Sequence, residues 1–304
     1  MDPDEELMSK WHQDEEDWWD ECGEYMTYQW KLTPALNEIL RSELEADYIN
    51  FLLHPDENLL DLGCGSGWLS VYFAERGMDV LGIDVSQGQI NAANQFKSDK
   101  LKGNLEFECC DLIHWDCEKH SGKFCNVFVN AFLHHLPEAE LEMVIRKISA
   151  SLKPGGRVYM YEPLKVPSKK NLIVGLIDLF NRILLKLLLN VVPNWFGQFT
   201  DRHKAQLELG YRMCSPHEGP VDVESIKRFC AGSFEIVEMK GWHLNSLGFA
   251  MHLMGFKDGL RNAYRCVVEF LYWQDKVLFK VFGWQAFSQP QKFILCSIKL
   301  IKIQ

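Results

Sequence analysis

The sequence predicts an α/β fold, a mostly parallel sheet with helices packed across it, and three observations support that expectation. Short apolar runs, most of them followed closely by a carboxylate or an amide, alternate with helix-period segments between Leu59 and Glu162. The first run, Leu59 to Leu62, breaks into Gly63, Cys64, Gly65, Ser66 and Gly67, a turn almost without side-chain bulk between a strand and a helix. The last run, Lys292 to Ile301, reads KFILCSIKLI, an alternation suited to a closing antiparallel strand beside its predecessor.

Composition bounds the rest. The 304 residues are 47% hydrophobic and 24% charged, enough for one large globular domain or one domain with insertions. A formal charge of −10 argues against nucleic-acid binding, because a surface that tracks phosphates needs clustered Lys and Arg. The 10 cysteines form no C-x-x-C pair, and the start, MDPDEELMSK, has no basic region followed by an apolar one. Free thiols, no metal site and a cytoplasmic protein are the expectations.

Taken in order, the chain begins with an acidic run that also carries Trp11, Trp18 and Trp19, continued by Tyr25, Tyr28 and Trp30. Aromatic residues at this density suit either packing or a flap over a ligand, and a helix is expected from about Glu15 to Tyr28. Thr33-Pro34 opens a second helix to about Leu52, with Thr33 as cap and Pro34 at its first position. The strand Leu59–Leu62 carries Asp61, and a helix from Trp68 to Arg76 leads to the strand Val80–Ile83, closed by Asp84. An acid there suits two ribose hydroxyls, so an adenosine-containing ligand is implied. The glycines at 63, 65 and 67 are spaced G-x-G-x-G rather than the G-x-G-x-x-G of a dinucleotide site, and no basic residue waits for a pyrophosphate.

These residues, LLDLGCGSG followed by GID, resemble the class I S-adenosylmethionine-dependent methyltransferases. Further matches follow in register: Cys110-Asp111-Leu112 after the third strand (Leu105–Cys109), LHHLP after the fourth (Phe124–Asn130), LKPGG, and a fifth strand (Arg157–Tyr161) ending in Glu162. The resemblance implies a Rossmann-like, seven-stranded, mostly parallel sheet with its last strand antiparallel, and S-adenosyl-L-methionine as cofactor. It also implies a cofactor site of Asp61, Gly63, Cys64, Gly65, Gly67, Asp84, Val85, Cys110, Asp111, Leu112 and Asn130. Asp61 would stand near the cofactor's ammonium group, Val85 and Asp111 at the adenine, and Asn130 at the methionine part. Tyr28 and Trp30 would be the contribution of the segment before the first strand. Many members carry an acid near the start of the fourth strand, where this chain has Asn126.

Past Pro163 the pattern departs from a minimal methyltransferase. Asn171 to Trp195 reads NLIVGLIDLFNRILLKLLLNVVPNW, an amphipathic helix with a very wide apolar face, suited to the interior, to a lid, or to a peripheral membrane contact. A sixth strand, Phe234–Met239, precedes an aromatic-rich helical insertion, 244–291. The expected organisation is a flap and helix at 1–54, a cofactor-binding core at 55–163, a helical cap at 164–233, and the final strands with their insertion at 234–304. Two greasy insertions beside a sheet that has its own core imply a hydrophobic small-molecule or lipid-like acceptor. An amine or protein side chain as acceptor, and a cofactor-binding membrane-interface module without catalysis, remain alternatives. Methyl transfer is an in-line displacement, and only a hydroxyl or carbon-acid acceptor needs a base. His134, His135 and Glu162 are the candidates, with His243 next; the paired histidines also suit simple packing beside the cofactor.

Overall fold

The computed structural model describes residues 7–20, 34–97, 99–166, 172–187, 215–244, 246, 264–287 and 294–303. Helix α1 covers 7–20 and starts earlier than its expected place, because Trp11, Glu15, Trp18 and Trp19 already form one face at helical spacing. Tyr28 and Trp30 lie outside the described residues, as does the Thr33 cap. Helix α2 (Pro34–Leu52) buries Leu40, Leu44, Tyr48 and Leu52, spaced by four throughout.

The central unit is β1 (Asn58–Leu62), α3 (Trp68–Ala74), β2 (Asp79–Asp84), α4 (Gln87–Gln95) and β3 (Leu105–Cys109). Next come β4 (Phe124–Asn130), α5 (Glu138–Ser151) and β5 (Leu152–Lys165). Strand β5 is longer than the expected Arg157–Tyr161. It takes in the LKPGG segment, whose register slips between Phe124 and Asn126 of β4 while Gly155 turns at a φ of 72°. Helix α6 (Leu172–Lys186), β6 (Val221–Asp222), α7 (Val223–Cys230), β7 (Phe234–His243), α8 (Arg265–Phe282) and β8 (Ile294–Lys302) complete the described elements. Strand β7 runs beyond the expected Met239, carrying Trp242 and His243 into the sheet.

The strand order is β3-β2-β1-β4-β5-β8-β7, with the short β6 pairing β5 off that path. Strands β1 to β5 pair in parallel, and β8 runs antiparallel to both β5 and β7, as its alternating sequence predicts. The chain leaves β1 toward β2 and β3 on one side and returns to β4 on the other. This switch opens a crevice at the carboxyl ends of β1 and β4.

The core lies on both faces of the sheet. Leu60, Leu62, Val127, Val129, Val158 and Met160 pack with α5 and α7 on one face. Leu59, Phe128 and Tyr159, one position out of step, pack with α2 and α3 on the other. Each of these fully buried Leu or Phe side chains contributes about 1.5–3 kcal/mol of transfer free energy.

Helix α6 departs from a buried helix. Ile177 packs on the core, but Leu176, Leu179, Phe180 and Ile183 are exposed to between 55% and 63%. No described helix is long and apolar enough to cross a membrane.

Candidate active site

The crevice is a cavity of about 670 Å³, within the range of small-molecule sites. Its polar end is built by the β1–α3 turn. Gly63, Gly65 and Gly67 all have positive φ, at 65°, 51° and 73°, which glycine adopts at little cost. A Cβ on Gly63 would lie 2.6 Å from the Phe132 ring, and one on Gly67 would lie 2.5 Å from Phe107. At Gly65 a Cβ would come no nearer than 3.8 Å to Gln89 Oε1, so this glycine leaves open space beside the cavity.

Asp84 closes the turn from β2. Its Oδ2 accepts the Gly65 N–H at 2.8 Å and its Oδ1 the Ser86 N–H at 3.0 Å. Burial raises its pKa, against the pull of those two amides. An ionised carboxylate has about four acceptor positions, so two remain for a pair of ribose hydroxyls. Ser86 caps α4 by accepting the Gln89 N–H at 3.1 Å, as its position before the helix predicts.

Gly63, Cys64, Gly65, Asp84, Val85, Cys110, Asp111, Leu112 and Asn130 all line the cavity. Asp61 and Gly67 do not. The Asp61 carboxylate is buried beneath α3, where it accepts the Ser70 hydroxyl at 2.5 Å, and burial raises its pKa to about 7. Gly67 is instead the residue that allows α3 to pack beneath Phe107. Asp111 accepts the Ile113 N–H at 2.9 Å and contacts His114 Nδ1 at 3.0 Å.

The three base candidates separate. Glu162 lies off the cavity wall and is 1% exposed. Its Oε1 accepts the Phe132 and Leu133 N–H groups at 2.8 and 2.9 Å, and its Oε2 bonds His134 Nδ1 at 2.8 Å. It therefore holds the turn after β4 rather than facing a substrate. His134 reaches the cavity, but its Nε2 is 3.3 Å from Glu218 Oε1. Burial pulls its pKa down, yet the bonds to Glu162 and Glu218 prevail and raise it to about 9. A protonated imidazole bonded at both nitrogens is no base at neutral pH. His135 lines the cavity with Nδ1 2.8 Å from Ser215 Oγ and 3.1 Å from Glu15 Oε2. His243 lines it too, and burial, reinforced by Arg41, pulls its pKa down to about 3.

Arg41, His12 and Glu15 had no sequence signal strong enough to single them out, whereas Trp11, Trp18 and Trp19 belong to the aromatic run expected to pack or to cover a ligand. Arg41, the only basic residue of α2, stacks 4.2 Å from the Trp68 ring centroid and supplies the cavity with a cation. Trp11, His12, Glu15, Trp18 and Trp19 arrive from α1, which docks through Trp11 Nε1 donating to the His135 carbonyl at 2.8 Å. At its other end Asp20 Oδ1 accepts the Gly88 N–H at 2.9 Å and the Ser86 hydroxyl. Much of the remaining wall is apolar, including Leu40, Leu44, Phe128, Phe132 and Leu295, with Ser66, Gln89, Ser215 and Glu218 among its polar members.

Comparison with known proteins agrees with this geometry. A family profile described as a methyltransferase domain matches residues 59–156, the span from β1 into β5. The ubiquinone biosynthesis O-methyltransferase of Neisseria meningitidis is 31% identical over 180 residues, 57% of this chain and 68% of that protein. Its counterpart from Coxiella burnetii is 26% identical over 158 residues, and the chain spans 61% of that relative's length. In fold, phosphoethanolamine N-methyltransferase 2 of Haemonchus contortus superposes with a TM-score of 0.53 at 15% identity, covering 95% of this chain and 60% of that one. The chain belongs to the class I S-adenosylmethionine-dependent methyltransferase family.

Proposed function

We propose that the protein transfers the methyl group of S-adenosylmethionine to a hydrophobic, lipid-like small molecule. The observation that carries this reading is the continuity of one cavity, from the glycine turn and Asp84 to a wall of aromatic and aliphatic side chains. Gly63, Cys64 and Gly65 admit the cofactor's backbone-side approach, Asp84 takes its ribose, and Val85, Cys110, Asp111 and Leu112 surround its adenine. Asn130 and Arg41 serve the methionine end, Arg41 as the partner of a carboxylate. When bound, the cofactor supplies an activated methyl carbon, so the protein's task is to align the acceptor and exclude water. The apolar wall does both for a greasy acceptor.

Two further observations support the choice of acceptor. The relatives from Neisseria and Coxiella are named for ubiquinone biosynthesis, which involves a lipid-like compound. The outward face of α6, Leu176, Leu179, Phe180 and Ile183, suits a shallow contact with a lipid surface through which such a compound arrives. On this reading Ser215, Glu218 and Leu244, the cavity residues that come from the two insertions, belong to the acceptor side of the enzyme, and α1 forms its roof.

The test is incubation with methyl-labelled S-adenosylmethionine and a cell extract, followed by partition between organic solvent, water and precipitated protein. Label in the organic phase is expected. Label confined to precipitated protein or to water-soluble amines would overturn the acceptor assignment.

A further inference from the structure

We infer that His135 is the general base for an acceptor hydroxyl, and that Glu15, delivered by α1, is the residue that positions it. The inference rests on the methyltransferase reading above and deepens it by naming the acceptor atom, an ionisable O–H such as that of a phenol or enol. The two histidines of the LHHLP turn differ in one respect that decides their roles. Both nitrogens of His134 are engaged, by Glu162 and Glu218. In His135 the polar contacts among the described residues fall on Nδ1, Ser215 Oγ at 2.8 Å and Glu15 Oε2 at 3.1 Å, while the ring stands on the cavity wall between Trp19 and the His134 ring 4.0 Å away.

A neutral imidazole carries one proton, and the acceptor-only Glu15 carboxylate at Nδ1 favours it there, with the Ser215 hydroxyl able to accept beside it, which leaves the Nε2 lone pair available on the other side of the ring. Glu15 is built for the second half of the task. It is 6% exposed, its Oε1 accepts the His217 N–H at 3.1 Å, and its Oε2 lies 3.1 Å from Nδ1 of His135. A buried carboxylate 3.1 Å from an imidazole nitrogen favours the cationic form of that ring, so the charge it carries stabilises the imidazolium formed at Nε2. Burial pushes the Glu15 carboxyl upward, but the contacts with His135, Ser215 and the His217 amide leave it below the usual carboxylate range, so it is charged and ready.

The step balances without any further reactant. The acceptor oxygen's lone pair forms the new C–O bond to the methyl carbon, the methyl–sulfur pair stays on sulfur and cancels its charge, and the hydroxyl proton moves to Nε2 of His135. The imidazolium then rests against Glu15 until it loses the proton to water. Because Glu15 reaches the site from α1, which also binds the His135 carbonyl through Trp11, the base is assembled only when α1 is docked.

The experiment has two arms on the full chain. Long-range 1H–15N imidazole spectra of the wild type, Glu15→Gln, Glu15→Asp and Trp11→Phe read the His135 tautomer without any substrate. The Nδ1–H form is expected in the wild type and Glu15→Asp, and a mixture in Glu15→Gln. Trp11→Phe, which loosens α1 and with it Glu15, is expected to shift the tautomer part of the way toward the Glu15→Gln mixture. The same tautomer mixture in wild type and Glu15→Gln would overturn the positioning role.

In the second arm, an alkyl catechol and the matching alkyl amine are offered in micelles with labelled methyl donor. Catechol methylation is expected, with kcat reduced about 100-fold or more in His135→Asn and about 10-fold or more in Glu15→Gln, at unchanged KM for the donor. Glu15→Asp is expected to recover part of that loss. Methylation of the amine alone, or full kcat in His135→Asn, would overturn the base and leave the methyltransferase reading standing. Methylation of neither probe, with S-adenosylhomocysteine still bound, would count against the apolar-acceptor reading and against this inference with it.

Discussion

His134 and Glu162 are bonded at 2.8 Å across the top of the sheet, both almost fully buried, and the same carboxylate receives the backbone amides of Phe132 and Leu133. The pair sets the path of the chain from β4 into the cavity wall, and its charge state governs stability. His134 in the folded protein has its pKa raised from 6.5 to about 9, so its stabilisation is fully present below pH 6.5 and is lost as the pH rises through about 9. Thermal melts should therefore fall between pH 6.5 and 9.5, by an amount equivalent to at most about 3 kcal/mol. His134→Gln, which lacks the titration, should lower the melting point at pH 6.5 and flatten that slope. A wild-type profile already flat over this interval would contradict the ion pair.

The glycine turn divides into packing and access. Ala at Gly63 or Gly67 meets Phe132 or Phe107 below 3 Å and also occupies a left-handed backbone, whereas Ala at Gly65 meets only the backbone penalty. Denaturant melts should show Gly63→Ala and Gly67→Ala losing about 2–4 kcal/mol, and Gly65→Ala about 1 kcal/mol. A Val at Gly65 should block S-adenosylhomocysteine more than it unfolds the protein. Equal destabilisation at all three positions would count against the geometry.

Asn126 explains a departure from the family pattern. Buried in β4, it donates through Nδ2 to Glu57 Oε2 at 2.9 Å and to the Asn58 carbonyl at 3.3 Å, while its Oδ1 accepts from Arg157 Nε at 2.9 Å. Arg157 also pairs with Glu57. An acid at 126 would lose both donors and face the Glu57 carboxylate, so Asn126→Asp should cost about 1–3 kcal/mol in denaturant melts. Unchanged stability would mean that Arg157 alone suffices there.

The lipid-surface contact proposed for helix α6 is separable from folding. Leu179→Lys with Phe180→Glu replaces side chains exposed to 55% and 62%, so the melting behaviour should stay within about 0.5 kcal/mol of wild type. Sedimentation with liposomes should drop, and so should turnover of an acceptor presented in vesicles. Unaltered sedimentation would remove the membrane-surface reading.

The sheet was legible because its strands announce themselves by apolar runs and its turns by Gly63–Gly67 and Asp84, all local signals. The boundaries of β5 and β7 were not, since Leu152 pairs with Phe124 of β4 at one end of β5 and pairing with β8 carries β5 on to Leu164 and β7 through Trp242-His243 against local propensity. The cavity wall beside the glycine turn was readable on the same local grounds, except at Asp61, whose side chain turns under α3 to Ser70, and at Gly67, which packs against Phe107. Glu15 and Arg41 escaped because their importance is a matter of tertiary reach. One lies more than a hundred residues from His135 in an acidic run, the other is a single cation in an amphipathic helix. Glu162 sits where a base was expected, and only its three hydrogen bonds reveal that its acceptor capacity serves the protein's own turn.

The central claim is that Asp84 and the glycine turn hold an adenosyl cofactor at the switch point of the sheet. Calorimetric titration with S-adenosylhomocysteine, wild type against Asp84→Ala, tests it most directly. Binding in the wild type, weakened by roughly 10-fold or more in the variant for loss of charge-assisted bonds to the ribose, is predicted, with both proteins folded by circular dichroism. Equal affinity in the two proteins, or no binding by the folded wild type, would contradict it.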